Sequence, residues 1–537
     1  MFNSRAFLRG LAAAALLVGV GSRLPLPASA ATASLPYDDI ASSYARSAIV
    51  RLSDRDVVHG KAERQFAPLA PITRAEFVVM IERLLRLAPA NAVIPAYADA
   101  PKTAWFYAEL QAAVQLDIAR GTSADRFEPN RQVTRQEAAV LLARALKLTL
   151  PANAADTYGY ADASRIAVWA APAVLRLGQL GLMQGDGGAF RPADPITRQE
   201  AAVLLDRVLQ RPDWLAQIDR EPADRIQIGW QYGQTTAQYE KQVASSNVNR
   251  LSPRWFFLSK TGVTSNVDAS LVAWAHGRGK QVWAMVGNRS DQALTHQILS
   301  QSSQRDAAID ALTALAKQYG IDGLNLDFEN VAPADRADLT RFVAALADAL
   351  HSENKVLSVN VSPDLGSDWT EAFDYAAIGR QADYVVLMAY DEHWSGGAAG
   401  SVSSLPWLRR GLEKLLAAVP ASKTVLALPF YNRDWTIGGA AAAGSTERSL
   451  VQQNETVRAL GLKPAWDASL GQYTAQYVQA GVRHALWLED GRSLTRKMQA
   501  GQALGIAGYA YWYMGGESAD VWNSLRNAAR FGAYTFD

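Results

Sequence analysis

Asp322-Gly323-Leu324-Asn325-Leu326-Asp327-Phe328-Glu329 is the stretch that decides how the C-terminal half folds. Successive side chains of an extended strand point to opposite faces. Leu324, Leu326 and Phe328 then share one face, suited to packing under helices, while Asn325, Asp327 and Glu329 share the other. A ladder of buried polar groups is costly unless it is paired or put to use. On either side of it, short apolar runs alternate with longer amphipathic stretches, the pattern of a parallel sheet covered by helices. The runs fall at 226–230, 255–259, 282–286, 323–329, 356–361, 384–390, 425–430 and 506–512. Eight strands over roughly 310 residues predict a (β/α)8 barrel across 225–537. A small insertion is expected before the last strand, including Ala485-Leu486-Trp487-Leu488.

In such a barrel, chemistry belongs to the C-terminal ends of the strands. Asp327 and Glu329 lie roughly 6.6 Å apart along their strand. A carboxylate at that distance, in a partly desolvated mouth, disfavours a second negative charge. Glu329 is therefore expected to keep its proton more tightly than a free glutamic acid, as a general acid must.

With the strand placed, the stretch resembles glycoside hydrolase family 18, whose signature is Asp-Gly-x-Asp-x-Asp-x-Glu. Further pieces fall in order: Met388-Ala389-Tyr390-Asp391 after the sixth strand, Leu428-Pro429-Phe430-Tyr431-Asn432-Arg433-Asp434-Trp435 after the seventh, and Trp512 closing the eighth. The likeness is to the bacterial branch that includes spore-germination and cortex-lytic enzymes. Asn325 stands where many chitinases carry Asp. The resemblance implies substrate-assisted retaining hydrolysis of β-1,4-linked N-acetylhexosamine polymers, peptidoglycan first and chitin second, without a cofactor. It makes Glu329, Asp327 and Tyr390 catalytic and gives Asn325, Asp391, Trp512 and Tyr431 to substrate binding. Trp435 reads as rim or core, and His393 as a structural or rim residue. A non-catalytic glycan-binding or structural wall protein on the same barrel is the alternative. Degenerate barrels usually lose the terminal acid, and Glu329 is present.

The N-terminal part repeats itself about every 60 residues, three times, over 35–90, 95–150 and 158–210. Each copy opens on an aromatic and an acid (Tyr37-Asp38, Tyr97-Ala98-Asp99, Tyr160-Ala161-Asp162). A glycine follows (Gly60, Gly121, Gly185), then Phe-x-Pro from Phe66, Phe127 and Phe190. Each copy closes on Ile/Val-Thr-Arg-x-Glu, ending at Glu76, Glu137 and Glu200. Thr with Glu three residues on is a capping box, so Thr73, Thr134 and Thr197 should start helices. Arg74, Arg135 and Arg198 then fall in the first turn, where a cation opposes the helix dipole unless an anion is present. These repeats resemble S-layer homology domains. The resemblance implies a helical pseudo-trimer binding a pyruvylated secondary wall polymer through Arg74, Arg135 and Arg198. Trp105 and Trp169 match the family's tryptophan, whereas the first copy has only Tyr44 and a Lys61-Ala62-Glu63 departure.

Residues 211–224, polar with two prolines, read as a linker between halves that each carry their own core. Residues 1–30 read as a secretory signal: Arg5 and Arg9, an apolar Leu11 to Val20, and Ala28-Ser29-Ala30. That apolar run is half of what a bilayer crossing needs, so no membrane span is expected in the mature chain. The expected location is secreted and held non-covalently on a bacterial wall or S-layer. Cysteine is absent, and the six histidines show no ligand spacing, so no metal is expected. A formal charge of +1 gives no electrostatic case for nucleic acid.

Overall fold

The computed structural model describes residues 35–152, 159–366, 368–438 and 444–537. The proposed signal segment 1–30 lies outside the described residues. The eight barrel strands are β1 (Ile226–Gln231), β2 (Arg250–Ser259), β3 (Gln281–Gly287), β4 (Gly323–Asp327), β5 (Val356–Val361), β6 (Tyr384–Met388), β7 (Thr424–Pro429) and β8 (Gly508–Trp512). All pair in parallel with their sequence neighbours, and β8 pairs with β1 to close the ring. The barrel interior is apolar at its lower levels, where Ile226, Ile228, Trp230, Trp283, Met285, Val386, Val425, Ala427 and Ala510 form one cluster. Leu324, Leu326 and Phe328 face the other way, and Phe328 meets Phe342 of helix Arg336–Ser352 with ring centroids 5.5 Å apart.

The insertion before β8 is a five-stranded antiparallel sheet built from Tyr431–Ile437, Ser445–Ser449, Ala465–Asp467, Gln472–Gln479 and Val482–Leu488. Trp435 is core there: it is fully buried, and its Nε1 donates to the Gly400 carbonyl at 2.9 Å.

All three capping boxes form, on helices Arg74–Leu84, Arg135–Ala145 and Arg198–Leu209. These helices pack on Tyr107–Gln115, Ala171–Gln179 and Arg46–Asp54 respectively, so each repeat leans on the next and the third returns to the first. The opening acid has one task in every copy. Asp39 accepts from the amides of Phe66 and Ala67, Asp99 from Phe127 and Glu128, and Asp162 from Phe190 and Arg191. In the first copy the working residue is thus Asp39, and Asp38 pairs with Arg64 instead. Ala67, Glu128 and Arg191 sit at φ of 59°, 57° and 58°, which explains why the turn needs a carboxylate clasp. The recurring glycine is set by close approach: a Cβ on Gly60, Gly121 or Gly185 would stand 2.8, 2.5 or 2.7 Å from the ring of Tyr37, Tyr97 or Tyr160.

The stretch 211–224 is not an open linker. It carries helix Pro212–Asp219, whose Trp214 and Ile218, four apart, are buried. Trp214 packs on Phe536 with centroids 5.6 Å apart. The two halves share a continuous apolar cluster. Asn527 makes two 2.7 Å hydrogen bonds with the Ala88 backbone, Tyr534 donates to the Leu85 carbonyl at 2.7 Å, and Lys147 reaches the Tyr534 carbonyl at 2.8 Å. Trp214→Ala should therefore cost about 3 kcal/mol as a large-to-small core change. Calorimetry should show the two halves melting together at a lowered temperature, not a loss confined to one of them. Among the described residues no helix is long and apolar enough to cross a membrane.

Candidate active site

The mouth of the barrel is organised from its floor upward. Asn325 is fully buried and is the hub of a polar network. Its Oδ1 accepts from Trp230 Nε1 at 2.8 Å, and its Nδ2 donates to Ser358 Oγ at 2.9 Å and Asn360 Oδ1 at 2.8 Å. Asn360 Nδ2 then donates to Asp327 Oδ1 at 2.8 Å. Asn325 does not reach the cleft, so its assignment to substrate contact is corrected: it holds Asp327 through Asn360. Its donors and acceptors are used up within the barrel, as a buried amide requires.

β4 ends at Asp327, two residues earlier than the pattern implied. Past that point Glu329 is held by side chains: its amide donates to Asn288 Oδ1 at 3.0 Å, and Asn288 Nδ2 donates to its carbonyl at 2.7 Å. Ser290 Oγ donates to Glu329 Oε2 at 2.9 Å. Asn288 and Ser290 were not singled out from the sequence, although they follow β3 where barrel chemistry gathers. The raised carboxyl, expected from the sequence on Glu329, is found on Asp327. Burial first and the Glu329 charge second push it up to about 7, against the Asn360 hydrogen bond and Arg254.

Tyr390 faces this pair. Burial, then the charges of Asp327, Glu329 and Asp391, hold its hydroxyl well above the usual tyrosine range, so it stays a neutral donor. Asp391, at φ 61°, projects from the rim and is fixed by two neighbours: Tyr431 donates to it at 2.6 Å, and Arg433 lies 3.5 Å away. Tyr431 itself is buried. It stands behind Asp391 and gives its hydroxyl proton to that carboxylate, which fixes the carboxylate at the rim. Trp512 lies across the mouth, tilted against Trp230 at 5.9 Å and Tyr232 at 5.3 Å. His393 bonds the Ala398 carbonyl at 2.9 Å and shapes the loop beyond Asp391.

In the N-terminal unit the three arginines are neither solvated nor free. Arg74, Arg135 and Arg198 are buried, and each bonds the following copy: Nε donates to the carbonyl of Phe127, Phe190 or Phe66 at 3.0, 2.8 or 2.7 Å. Each also stacks on that phenylalanine, at 4.7, 5.3 and 4.5 Å. Arg135 further meets Glu200 at 3.0 Å, and lines a groove of about 350 Å³ with Gly185, Asp186 and Arg207. Tyr44 of the first copy completes that groove, so this groove is shared between copies. Trp105 and Trp169 stand exposed.

The arrangement is a closed parallel barrel with two carboxyls at its mouth, joined to a helical unit of three copies. Residues 260–517 match the glycosyl hydrolases family 18 model, and 36–78, 96–139 and 159–202 each match the S-layer homology domain. The chain thus carries a family 18 glycosyl hydrolase domain behind three S-layer homology domains, which associate it with the cell surface. It is 27% identical over 315 residues to a Bacillus subtilis protein named uncharacterized glycosylase YvbX, covering 56% of this chain and 91% of that one. It is 28% identical to the Bacillus subtilis cortical fragment-lytic enzyme, over 43% of this chain and 56% of that enzyme. The barrel fold is shared with a chitinase from Chromobacterium violaceum, at a TM-score of 0.53 and 24% identity over 57% of this chain and 98% of the chitinase.

Proposed function

We propose that the protein hydrolyses β-1,4 bonds of N-acetylglucosamine-containing wall glycans, peptidoglycan before chitin, by a substrate-assisted retaining route. The observation that supports it best is the convergence of Asp327, Glu329 and Tyr390 at one barrel mouth beside Trp512. Glu329 gives its proton to the glycosidic oxygen as the bond breaks. The acetamido carbonyl oxygen of the sugar attacks the anomeric carbon, so the positive charge moves onto an oxazolinium ring. Asp327, ionised as its proton shifts within the pair, orients the acetamido N–H and balances that charge. Tyr390 donates to the acetyl oxygen, and Trp512 forms an apolar floor under the sugar. Glu329, now a base, takes a proton from the water that opens the ring. The S-layer homology unit holds the enzyme on its substrate by binding a pyruvylated wall polymer. Export by a cleaved signal peptide completes this reading.

Activity should fall as pH rises through about 7, the value to which Asp327 is raised. A raised carboxyl favours its neutral form, so below that value the pair retains a shared proton, and above it the acid is lost. The alkaline limb of kcat/KM for an N-acetylglucosamine oligomer checks this. The reading as a whole is tested by digesting purified peptidoglycan and chitin oligomers and identifying the products by mass. N-Acetylglucosamine at the new reducing ends is expected. Wild-type protein that binds both glycans and cleaves neither would instead support a non-catalytic wall-binding protein.

A further inference from the structure

Two arginines at the mouth take no part in the chemistry above. Arg254 comes from β2, at a point where the register with β3 shifts between Arg254 and Phe256. Such a bulge re-aims side chains, and here it puts Arg254 on the inner face beside Asp327, whose ionisation it eases. Its guanidinium lies 4.9 Å from the Tyr232 ring, 5.6 Å from Phe257 and 6.0 Å from Trp512. Its Nε is buried without a hydrogen-bond partner. Arg289 follows β3, one residue before the Ser290 that bonds Glu329, and lies 4.0 Å over the other side chain they share, Phe257. Among the described residues neither arginine has a carboxylate within 4.0 Å, whereas Arg433 at the same mouth is paired with Asp391 and Glu447. Beside Arg254 a cavity of about 390 Å³ opens between Gln231, Gln234, Thr236 and Asn266. Its one carboxylate, Asp268, is already engaged by Thr236 at 2.6 Å and by Ser270 at 2.6 Å.

We propose that Arg254 and Arg289 form a subsite for a carboxylate borne by the glycan, making the cleft selective for acidic over neutral N-acetylhexosamine polymers. This deepens the function proposed above and rests on it for the identity of the sugar. The half-buried Arg254, whose Nε has no partner, is costly until an anion meets it; Arg289 adds an exposed second cation at the rim, and arginine presents a fork that matches a carboxylate. Chitin carries no such group. Peptidoglycan does: the 3-O-lactyl ether of muramic acid ends in a carboxyl group, either free or extended by a stem peptide with carboxylates of its own. The aromatic walls of Tyr232, Phe257 and Trp512 keep both cations at the edge of the sugar floor, and the neighbouring cavity gives the substituent room.

Binding separates this from catalysis. In the Glu329→Gln background, affinities are measured for N-acetylglucosamine oligomers, for peptide-free glycan with free lactyl carboxyls, and for peptide-bearing glycan of equal length. The acidic glycans should bind about tenfold or more tightly than the neutral one, with the preference shrinking as salt rises. Arg254→Gln and Arg289→Gln should each erode that preference, and Arg254→Lys should retain part of it. A preference for peptide-free glycan places the lactyl carboxylate in the subsite, and one for peptide-bearing glycan places the stem there. Equal affinity for acidic and neutral glycans, or equal weakening of both by the substitutions, overturns the proposal. If wild type cleaves nothing while the acidic preference persists, the hydrolase reading falls and the subsite stands.

Discussion

Glu329→Gln should lower hydrolysis of an N-acetylglucosamine oligomer by at least about two orders of magnitude while leaving the oligomer bound, because general acid–base catalysis contributes about 10²–10⁴-fold. The amide keeps the size of the side chain and can still accept from Ser290, which donates to Glu329 at 2.9 Å. The clasp that Asn288 places on the backbone of Glu329 does not involve the side chain and should persist. What disappears is a proton that can be given to the leaving oxygen and later recovered from water. Tyr390 and Trp512 are untouched, so the sugar should still be held. Asp327→Asn should also be severe, since a neutral amide cannot balance an oxazolinium charge. It should act differently on pH: the ionisation raised to about 7 belongs to Asp327, so replacing that carboxyl by an amide takes it out of the profile. The two variants are read side by side, as rates and as equilibrium binding of the same oligomer. Undiminished hydrolysis by Glu329→Gln would remove it from the mechanism.

What could be read from the chain depended on how far apart the partners lie. The capping boxes are interactions between residues three apart, and all three form where Thr-Arg-x-Glu placed them. The eight strands were legible from apolar runs alternating with amphipathic stretches, while Glu329 lies past the end of its strand and is oriented by Asn288 and Ser290. The roles of the inward residues were not legible, because they are set by other strands. Asn325 is satisfied by Trp230, Ser358 and Asn360, which are 95, 33 and 35 residues away, and this turns a presumed sugar contact into a support. Tyr431 is likewise claimed by Asp391, 40 residues before it. The segment 211–224 looked open because its polar residues and prolines outweigh Trp214 and Ile218. The surface that buries those two comes from the end of the chain, at Phe536.

Arg135→Ala should destabilise the N-terminal unit by about 3 kcal/mol, an effect the sequence did not foreshadow, since the side chain looked like a receptor and nothing more. In the structure it is also a staple between copies. It donates to the carbonyls of Phe190 and Gln184 at 2.8 and 2.9 Å and to Glu200 at 3.0 Å. Truncation leaves two carbonyls and part of a carboxylate without their donor, in a place where the arginine itself is 5% exposed. Arg198 closes the same ring onto the first copy through Phe66 and Glu76, so the Arg135→Ala, Arg198→Ala pair should open it at two joints. Loss of binding to wall sacculi by that pair would then mix unfolding with loss of a receptor. Tyr44→Ala separates the two, because Tyr44 is 69% exposed yet lines the groove of Arg135. Surface changes of that kind stay within about 0.5 kcal/mol. The expected outcome is that Tyr44→Ala keeps its melting temperature and weakens sedimentation with pyruvylated sacculi, whereas Arg135→Ala loses both. Sacculi stripped of the pyruvyl ketal should release wild type as well. Full retention of Tyr44→Ala on pyruvylated sacculi would take the ligand out of this groove and leave Arg135 with its structural role alone.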